Sequence, residues 1–352
     1  IKAYPVWVGN RNLCLVKVET DEGLYGWGES GVSSRELAVI GAIRHFREFL
    51  VGKDVTRIGA IWQELYRGQY FEGGRILTGA ISAIDIALWD IAGKALGQPI
   101  HRLLGGKQRD RLECFITTTR PYDDSLIEDV KSLAGKGWRV IRTTAGDLGS
   151  SNETRELDIR RSIADAASIL TEARQELGSD VTLGIDYHHR LTVAETASFC
   201  QRMPSGTIDF IEDPIRYQTP AAYETLRKMV DIPFAIGEEC ASKWDFMPYI
   251  ENGITNFARI DVCNVGGITE ALKVAAAAET HYIDVMPHDP LGPICSAATI
   301  QYCAAIPNFA WCEVSPYEVR DDTDRDAVFV NSPEENGCYY SVAYAPGHGV
   351  DV

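Results

Sequence analysis

The sequence predicts an α/β protein in which a barrel of parallel strands and helices follows a smaller α+β domain. The main observation is that short apolar runs repeatedly end in an acid or an imidazole, at Asp186, Glu212, Glu238, Asp261 and His288. These positions are 26, 26, 23 and 27 residues apart, and each interval holds about one strand, one helix and two turns. Polar residues placed only at strand ends are typical of one face of a parallel barrel, where this architecture carries its chemistry.

Length and composition restrict the class of protein. The 352 residues exceed what one core usually supports, so we expect one large and one small domain. No apolar run reaches the roughly 18 residues of a membrane span, and the residues from Ile1 onward show no secretory-signal pattern. Nine scattered cysteines indicate reduced thiols in a cytoplasm. A net charge of −16 disfavours nucleic acid and anionic membranes as partners.

Residues 1–112 are predicted to form the α+β domain. Strands at 12–18 and 24–28, separated by Asp21-Glu22-Gly23, predict a hairpin. Apolar residues at helical spacing predict three helices, at 34–50, 57–66 and 76–96. The loop 70–75 contains Phe71 and paired glycines. It is either a simple connector or, together with residues 10–12, a wall of the pocket in which Phe71 contacts substrate.

Residues 113–317 are predicted to form the barrel. Eight short apolar segments follow Gly106, which is the barrel count, and they lie at 114–118, 140–144, 181–186, 208–212, 234–238, 257–261, 283–288 and 310–314. Helical patterns such as 193–202 and 269–279 separate most of them, and the polar stretch 146–156 predicts a surface excursion. Residues 318–352 lack a clear eighth helix, so we expect this tail to return to the first domain.

Three carboxylates at successive strand ends predict a metal site. Asp186, Glu212 and Glu238 can converge on one hard cation, and Mg²⁺ is favoured because it prefers oxygen ligands. A single acid at a strand end is more often a helix cap or an ion-pair partner. Three in register on consecutive repeats favour metal binding instead.

Two histidines are candidate catalytic groups. His288 and Asp261 end adjacent repeats, and a hydrogen bond between them would fix the imidazole tautomer and raise its basicity, as a general base requires. His188 lies two residues past Asp186 and therefore projects to the same side of the strand, whereas His189 should point away. The alternatives are a buried structural histidine at 288 and a packing role at 188.

Several motifs in order along the chain resemble those of the mandelate racemase subgroup of the enolase superfamily, and within it the D-galactonate dehydratases. The implied fold is a modified TIM barrel, (β/α)7β, with an α+β N-terminal capping domain. The resemblance spans nearly the whole chain and is carried by Gly28-Glu29, residues 83–94, Leu103-Leu104-Gly105-Gly106, residues 185–188, residues 210–214, Gly237-Glu238, Asp261 with residues 266–270, and residues 287–293.

The resemblance implies a hydro-lyase that acts on acid sugars. It assigns Mg²⁺ to Asp186, Glu212 and Glu238, and such sites make the proton α to a carboxylate removable by stabilising the enediolate. It implies that His288 is the base and His188 the acid that releases the β-hydroxyl as water. Glu313 resembles the acid that hydrogen-bonds a substrate carboxylate oxygen, with a structural ion pair as the alternative. The resemblance also implies a symmetric homo-oligomer.

Departures from the family pattern bear on the reaction and the substrate. The racemases end their second strand in Lys-x-Lys, whereas this chain has Arg142, and guanidinium is a poor base. Dehydration is therefore preferred over an α-hydroxy acid racemase or epimerase, and a catalytically silent binding protein is a further alternative. Arg142 either contacts substrate or forms a salt bridge at the barrel rim.

The substrate pocket also departs from that of the galactonate dehydratases. Glu239 and Asp289 stand where those enzymes have Arg and Cys. We expect Asp289 to contact substrate and the substrate to be an aldonate or aldarate that the sequence alone does not identify.

Overall fold

A three-stranded antiparallel sheet opens the chain in the computed structural model, which describes residues 1–9, 11–68, 70–144, 158–314 and 327–352. The predicted hairpin is confirmed as β2 (Asn12–Glu19) and β3 (Tyr25–Ser30). A further strand, β1 (Lys2–Trp7), pairs with β2 and was not predicted. It contains Pro5, which lowers the strand signal but is tolerated on the edge of a sheet.

The three predicted helices of the first domain are confirmed as α1 (Glu36–Leu50), α2 (Ile58–Arg67) and α3 (Arg75–Leu96). Helix α3 is long and apolar enough to cross a membrane by composition, but 78% of its most apolar window is buried inside the protein. It is therefore the central helix of this domain, packed against β3 and α1. A short helix, α4 (Ile100–Leu103), leads to the barrel.

In the described part of the chain, eight parallel strands form the predicted barrel sheet; strands that follow one another in sequence are neighbours, and the last strand pairs with the first. The amide of Val285 donates to Asn308 O at 2.7 Å and the amide of Ala310 donates to Val285 O at 2.9 Å, which joins the two ends of the sheet. The strands are β4 (Arg111–Thr118), β5 (Val140–Thr144), β6 (Thr182–Asp186), β7 (Phe210–Glu212), β8 (Phe234–Ile236), β9 (Phe257–Ala258), β10 (Asp284–Val285) and β11 (Cys312–Val314).

Among the residues that the structure describes, seven helices alternate with these strands, in agreement with the (β/α)7β fold. They are α5 (Asp124–Gly135), α6 (Ile159–Leu177), α7 (Val193–Gln201), α8 (Pro220–Arg227), α9 (Lys243–Glu251), α10 (Ile268–Thr280) and α11 (Pro293–Ala305). Residues 327–352 contain β12 (Tyr339–Ser341), antiparallel to β4, and no helix. The predicted excursion at 146–156 and the proposed boundary after Tyr317 lie outside the described residues.

The end of the chain contacts the first domain. The Asp351 carboxylate accepts hydrogen bonds from Tyr25 Oη at 2.7 Å and from Trp27 Nε1 at 2.8 Å, and Nε2 of His348 lies 2.9 Å from Trp27 O. Residues 348–351 therefore contact β3 of the first domain, while the division of the chain into three segments stays a prediction.

The barrel interior is filled by apolar side chains below the carboxyl ends of its strands, namely Phe115, Val140, Phe210, Ala235 and Met286. The guanidinium groups of Arg142 and Arg259 lie over the Phe115 ring, 5.1 and 5.3 Å from its centroid. This apolar floor forces the polar groups of the strand ends toward one end of the barrel.

Candidate active site

The three predicted metal ligands converge. Asp186 and Glu212 are register partners at the ends of β6 and β7, and Glu238 follows β8 by two residues. One oxygen of each lies within 4.8 Å of the others. Oδ2 of Asp186 is buried, and its one close polar neighbour among the described side chains on β6 and its loop is Nε2 of His188 at 3.0 Å. Three converging, largely buried carboxylates fit a hard divalent cation such as Mg²⁺. We call these residues the carboxylate triad.

Two buried arginines lie directly beneath the carboxylate triad. Arg142 donates to Glu212 Oε2 at 2.8 Å and to Glu313 Oε1 at 2.7 Å. Arg259 donates to Glu212 Oε1 and to Glu313 Oε2, each at 2.6 Å. Arg259 was missed in the sequence, although a charged residue inside the apolar run that ends at Asp261 is a signal of a buried ion pair. Both arginines fix the carboxylates of β7 and β11 against each other.

Glu313 is therefore an ion-pair partner in this structure. Burial raises the pKa of its carboxyl, but Arg142 and Arg259 lower it by more, so Glu313 is ionised. An ionised carboxylate only accepts hydrogen bonds. This geometry favours the ion-pair alternative for Glu313 and for Arg142, and contact of either residue with substrate stays a prediction.

His288 and Asp261 are hydrogen-bonded as the sequence predicts. Nδ1 of His288 lies 2.8 Å from Oδ2 of Asp261, and its Nε2 lies 3.5 Å from Glu238 Oε2. Asp261 is oriented in turn by the amide of Cys263 at 2.7 Å and by Asn264 Nδ2 at 2.9 Å. Burial lowers the pKa of His288, but Glu238 and the Asp261 hydrogen bond raise it to about 9. We call His288 and Asp261 the dyad.

His188 faces the same site from the opposite side. Its Nε2 lies 3.0 Å from Asp186 Oδ2. Burial lowers its pKa to about 4, although Glu238 acts in the other direction. His188 follows the third barrel strand and His288 follows the seventh, so in a closed eight-stranded barrel the two imidazoles approach the carboxylate triad from facing sides.

The prediction that His189 points away is wrong. Its Nε2 lies 3.1 Å from Glu238 Oε1 and 3.7 Å from Glu239 Oε2. Strand β6 ends at Asp186, and His188 and His189 have φ of 46° and 61°, so the alternation of a strand no longer applies to them. Burial lowers the pKa of His189, but the bond to Glu238 and the charge of Asp213 raise it to about 10.

Asp213 is a second residue that the sequence reasoning missed. Its carboxylate is fully buried, neither oxygen has a hydrogen-bond partner among the described residues, and its φ is 33°. Burial raises its pKa well above the ordinary value. It lies beside His189 and Glu238, close enough for the three side chains to surround a small ion or water.

Two carboxylates of the first domain cap the barrel helices that follow the dyad. Oε1 and Oε2 of Glu29 accept hydrogen bonds from the amides of Gly292 and Cys295 at 2.8 and 3.0 Å, at the start of α11. Oδ2 of Asp85 accepts the amide of Thr269 at 3.0 Å, at the start of α10.

Glycines allow both caps. A Cβ on Gly292 would lie 2.6 Å from Glu29 Oε1, and one on Gly267 would lie 2.2 Å from Asp85 Oδ2. The family-like motifs that contain Glu29 and Asp85 thus stabilise the contact between the first domain and the barrel.

A cavity of about 250 Å³ opens between the domains beside His288 and Glu238. The first domain lines it with Gly31, Val32, Ser33 and Arg75, and the barrel adds Glu239, Ala241 and Asn264.

Two of the predicted pocket residues do not line this cavity. Phe71 is 85% exposed and contacts the Tyr70 ring, and Asn10 lies outside the described residues. Asp289 is buried and accepts a hydrogen bond from Ser296 Oγ at 3.1 Å. The geometry gives substrate contact by Phe71 or Asp289 no support.

Two family models match most of the chain. The N-terminal domain model of mandelate racemase and muconate lactonizing enzyme matches residues 6–105, and the enolase C-terminal domain-like model matches residues 125–352. The chain belongs to the mandelate racemase and muconate lactonizing enzyme family. This membership confirms the resemblance and the fold class predicted from the sequence.

Individual relatives indicate which members of this family the chain is similar to. The chain is 32% identical to a D-galactonate dehydratase of Cronobacter sakazakii over 341 residues, 96% of this chain and 88% of the relative. It is 34% identical to one of Pectobacterium atrosepticum over 286 residues, 81% of this chain and 74% of the relative. A solved structure of an enolase from Pantoea ananatis with bound D-gluconate and Mg is similar over 100% of this chain and 91% of that chain, with a TM-score of 0.91 and 29% identity. The 3,6-anhydro-D-galactonate cycloisomerase of Zobellia galactanivorans is similar over 97% and 92%, with a TM-score of 0.82 and 29% identity.

Proposed function

We propose that this chain is an Mg²⁺-dependent acid-sugar dehydratase that converts an aldonate or aldarate to a 2-keto-3-deoxy acid. The observation that supports this most directly is the pair of imidazoles, His188 and His288, on facing sides of the carboxylate triad. Dehydration needs a base at the α-carbon and an acid at the β-hydroxyl. The family relatives named D-galactonate dehydratase add support from sequence.

His288 is proposed as the base. Its Nδ1 is held by Asp261 at 2.8 Å, which leaves Nε2 directed toward the site. The hydrogen bond to a carboxylate stabilises the imidazolium that forms when Nε2 accepts the α-proton. Because the charge of Glu238 helps to raise the pKa of His288 to about 9, the role requires that a cation held by Glu238 lower that pKa again. Asn264 and the Cys263 amide keep Asp261 in place, so the imidazole orientation is set before substrate binds.

His188 is proposed as the acid. It donates a proton to the β-hydroxyl, the bond from the β-carbon to oxygen breaks, and water leaves. Because burial lowers the pKa of His188 to about 4, the role requires that the bound anionic substrate raise it again. The carboxylate triad is the proposed Mg²⁺ site. Mg²⁺, when bound, supplies positive charge that stabilises the deprotonated carboxylate substrate.

One observation favours a second candidate function, α-hydroxy acid epimerisation. The imidazoles of His188 and His288 contact the carboxylate triad at Asp186 and Glu238 from facing sides, which is also the arrangement that a two-base reaction needs. An epimerase would use one imidazole to remove the α-proton and the other to return a proton on the opposite side.

One incubation separates these functions. The purified protein is mixed with Mg²⁺ and a panel of aldonates and aldarates in D₂O, and the products are followed by NMR. A 2-keto-3-deoxy product supports the dehydratase. Deuterium at an inverted α-carbon without keto product supports the epimerase, and neither product from any acid sugar would contradict both. Assembly as a homo-oligomer and a cytoplasmic location stay predictions of the sequence.

A further inference from the structure

An ion pair between Arg75 and Glu239 joins the two domains at this cavity. Nη1 of Arg75, at the start of α3, lies 2.9 Å from Oε1 of Glu239, which follows the metal-ligand candidate Glu238. The Arg75 guanidinium also lies 5.3 Å from the centroid of the Tyr217 ring. Among the described residues that line the cavity, Arg75 is the only permanent cation, and Glu239 already engages it.

Glu239 retains an unused acceptor. Its Oε2 is buried and finds no hydrogen-bond donor among the described residues, and His189 Nε2 is 3.7 Å away and bonded to Glu238 instead. A carboxylate accepts hydrogen bonds and cannot donate them. The cavity wall at Glu239 therefore lacks a hydrogen-bond donor, and a neutral group such as a hydroxyl can supply one.

We infer that Glu239 and Arg75 form a subsite for the hydroxyl groups at the far end of an acid sugar, and that this subsite selects monocarboxylic aldonates over dicarboxylic aldarates. The inference rests on the proposed function. With the substrate carboxylate at the triad and the α-carbon at His288, the rest of the chain extends into the cavity toward Arg75. A terminal hydroxyl donates to Glu239 and accepts from Arg75. A terminal carboxylate meets the like charge of Glu239 and offers it no hydrogen.

The test uses pairs of substrates that differ only at the last carbon, D-gluconate with D-glucarate and D-galactonate with galactarate. With Mg²⁺, kcat/KM for the better aldonate should exceed that for its aldarate by at least about tenfold, a conservative lower limit for the cost of a buried acceptor that is left unpaired. Glu239→Gln should reduce this ratio. Arg75→Met should increase it, because Glu239 then faces the second carboxylate without its cation. Glu64→Gln, which removes a surface ion pair of the same domain with Lys53, should leave the ratio unchanged.

Opposite shifts in Glu239→Gln and Arg75→Met distinguish this subsite from a structural ion pair, whose loss would move both variants in the same direction. Wild-type protein that dehydrates the aldarates as well as the aldonates overturns the inference. If no acid sugar is dehydrated, the proposed function fails, and calorimetry of Mg²⁺-loaded protein with the same four compounds still decides the inference. Tighter binding of the monocarboxylates then supports it, and equal or weaker binding overturns it.

Discussion

Oε2 of Glu29 lies 3.0 Å from the backbone nitrogen of Cys295, so a carboxylate of the first domain caps the barrel helix that follows the proposed base. The second oxygen accepts the amide of Gly292, four residues after His288. A negative charge at a helix N-terminus stabilises both the free amides and the helix dipole. The first domain thus fixes the segment that places His288.

Glu29→Gln is expected to lower kcat by about tenfold or more while KM changes little. The amide retains one acceptor but places an NH₂ group against a backbone N–H, so the loop that carries His288 shifts. A lost charged cap also costs roughly 1–2 kcal/mol of stability. Steady-state kinetics and thermal unfolding measure the two effects. Asp123→Asn, at the exposed start of α5, is the matched control. A loss of stability with unchanged kcat would show that Glu29 stabilises the contact between the domains and does not position His288.

Asp85 provides a pH-dependent prediction. Burial raises the pKa of its carboxyl from 3.8 to about 7, although the bonds from Thr269 oppose the shift. Between about pH 4 and 7 the native state binds a proton that the unfolded chain has released, so the contribution of Asp85 to stability falls as pH rises through this range and is constant above it. From about pH 4 to pH 7, the difference in the free energy of unfolding between the wild type and Asp85→Asn should fall by at most about 4 kcal/mol. Urea unfolding at several pH values measures it, and a pH-independent difference would contradict the assignment.

Glu238→Gln is expected to weaken Mg²⁺ binding and abolish turnover, because it removes one of three charged ligands. Calorimetric titration with Mg²⁺ measures the first effect and product formation the second. Glu239→Gln changes the neighbouring acid and should keep the Mg²⁺ affinity. Wild-type turnover that persists in excess EDTA would contradict the proposal that turnover requires Mg²⁺.

His189→Gln is expected to reduce Mg²⁺ affinity by roughly 10- to 100-fold, because groups that orient a metal ligand commonly have effects of this size. His189 bonds Glu238 Oε1 and so fixes the rotamer of that ligand. The readout is the Mg²⁺ dissociation constant, obtained without substrate. An unchanged constant would leave His189 with no role at the metal.

The strand-end acids could be predicted because the parallel barrel places every strand end on one face, so sequence spacing alone brings Asp186, Glu212 and Glu238 together. The dyad follows from the same rule. His189 could not be placed in this way, since two consecutive residues with positive φ end the strand alternation. Arg259 lies within an apolar run, yet its partners Glu212 and Glu313 are far away in sequence, and only the closed barrel brings them within 2.6 Å.

Contacts between domains were the hardest to predict. The pairing of Arg75 with Glu239 joins residues 164 positions apart, and no periodicity specifies it. The loop at Phe71 was predicted to line the pocket because of its aromatic and glycine content. The residue of this loop that lines the cavity is instead Arg75, the first residue of helix α3.

Substitution of the two facing histidines separates the proposed steps. His288→Asn should lose both exchange of the α-proton and dehydration, because the variant lacks the imidazole that is proposed to accept that proton. His188→Asn should retain some α-proton exchange in D₂O while losing keto product. His288 still removes the α-proton, but no imidazole at position 188 protonates the β-hydroxyl so that it can leave as water. Removal of a general acid or base typically lowers rates by roughly 10²- to 10⁴-fold, so NMR for exchange and a keto-acid assay for product resolve the two variants.

The control for these substitutions is His281→Asn, an exposed histidine at the end of α10 that should leave both rates unchanged. Three results would change the assignments. Dehydration retained in His288→Asn would show that another group is the base. Exchange and product falling together in His188→Asn would indicate that His188 acts through Asp186, 3.0 Å away, by positioning substrate or metal. Inversion at the α-carbon in the wild type, lost in both variants, would identify the two imidazoles as the paired bases of an epimerase.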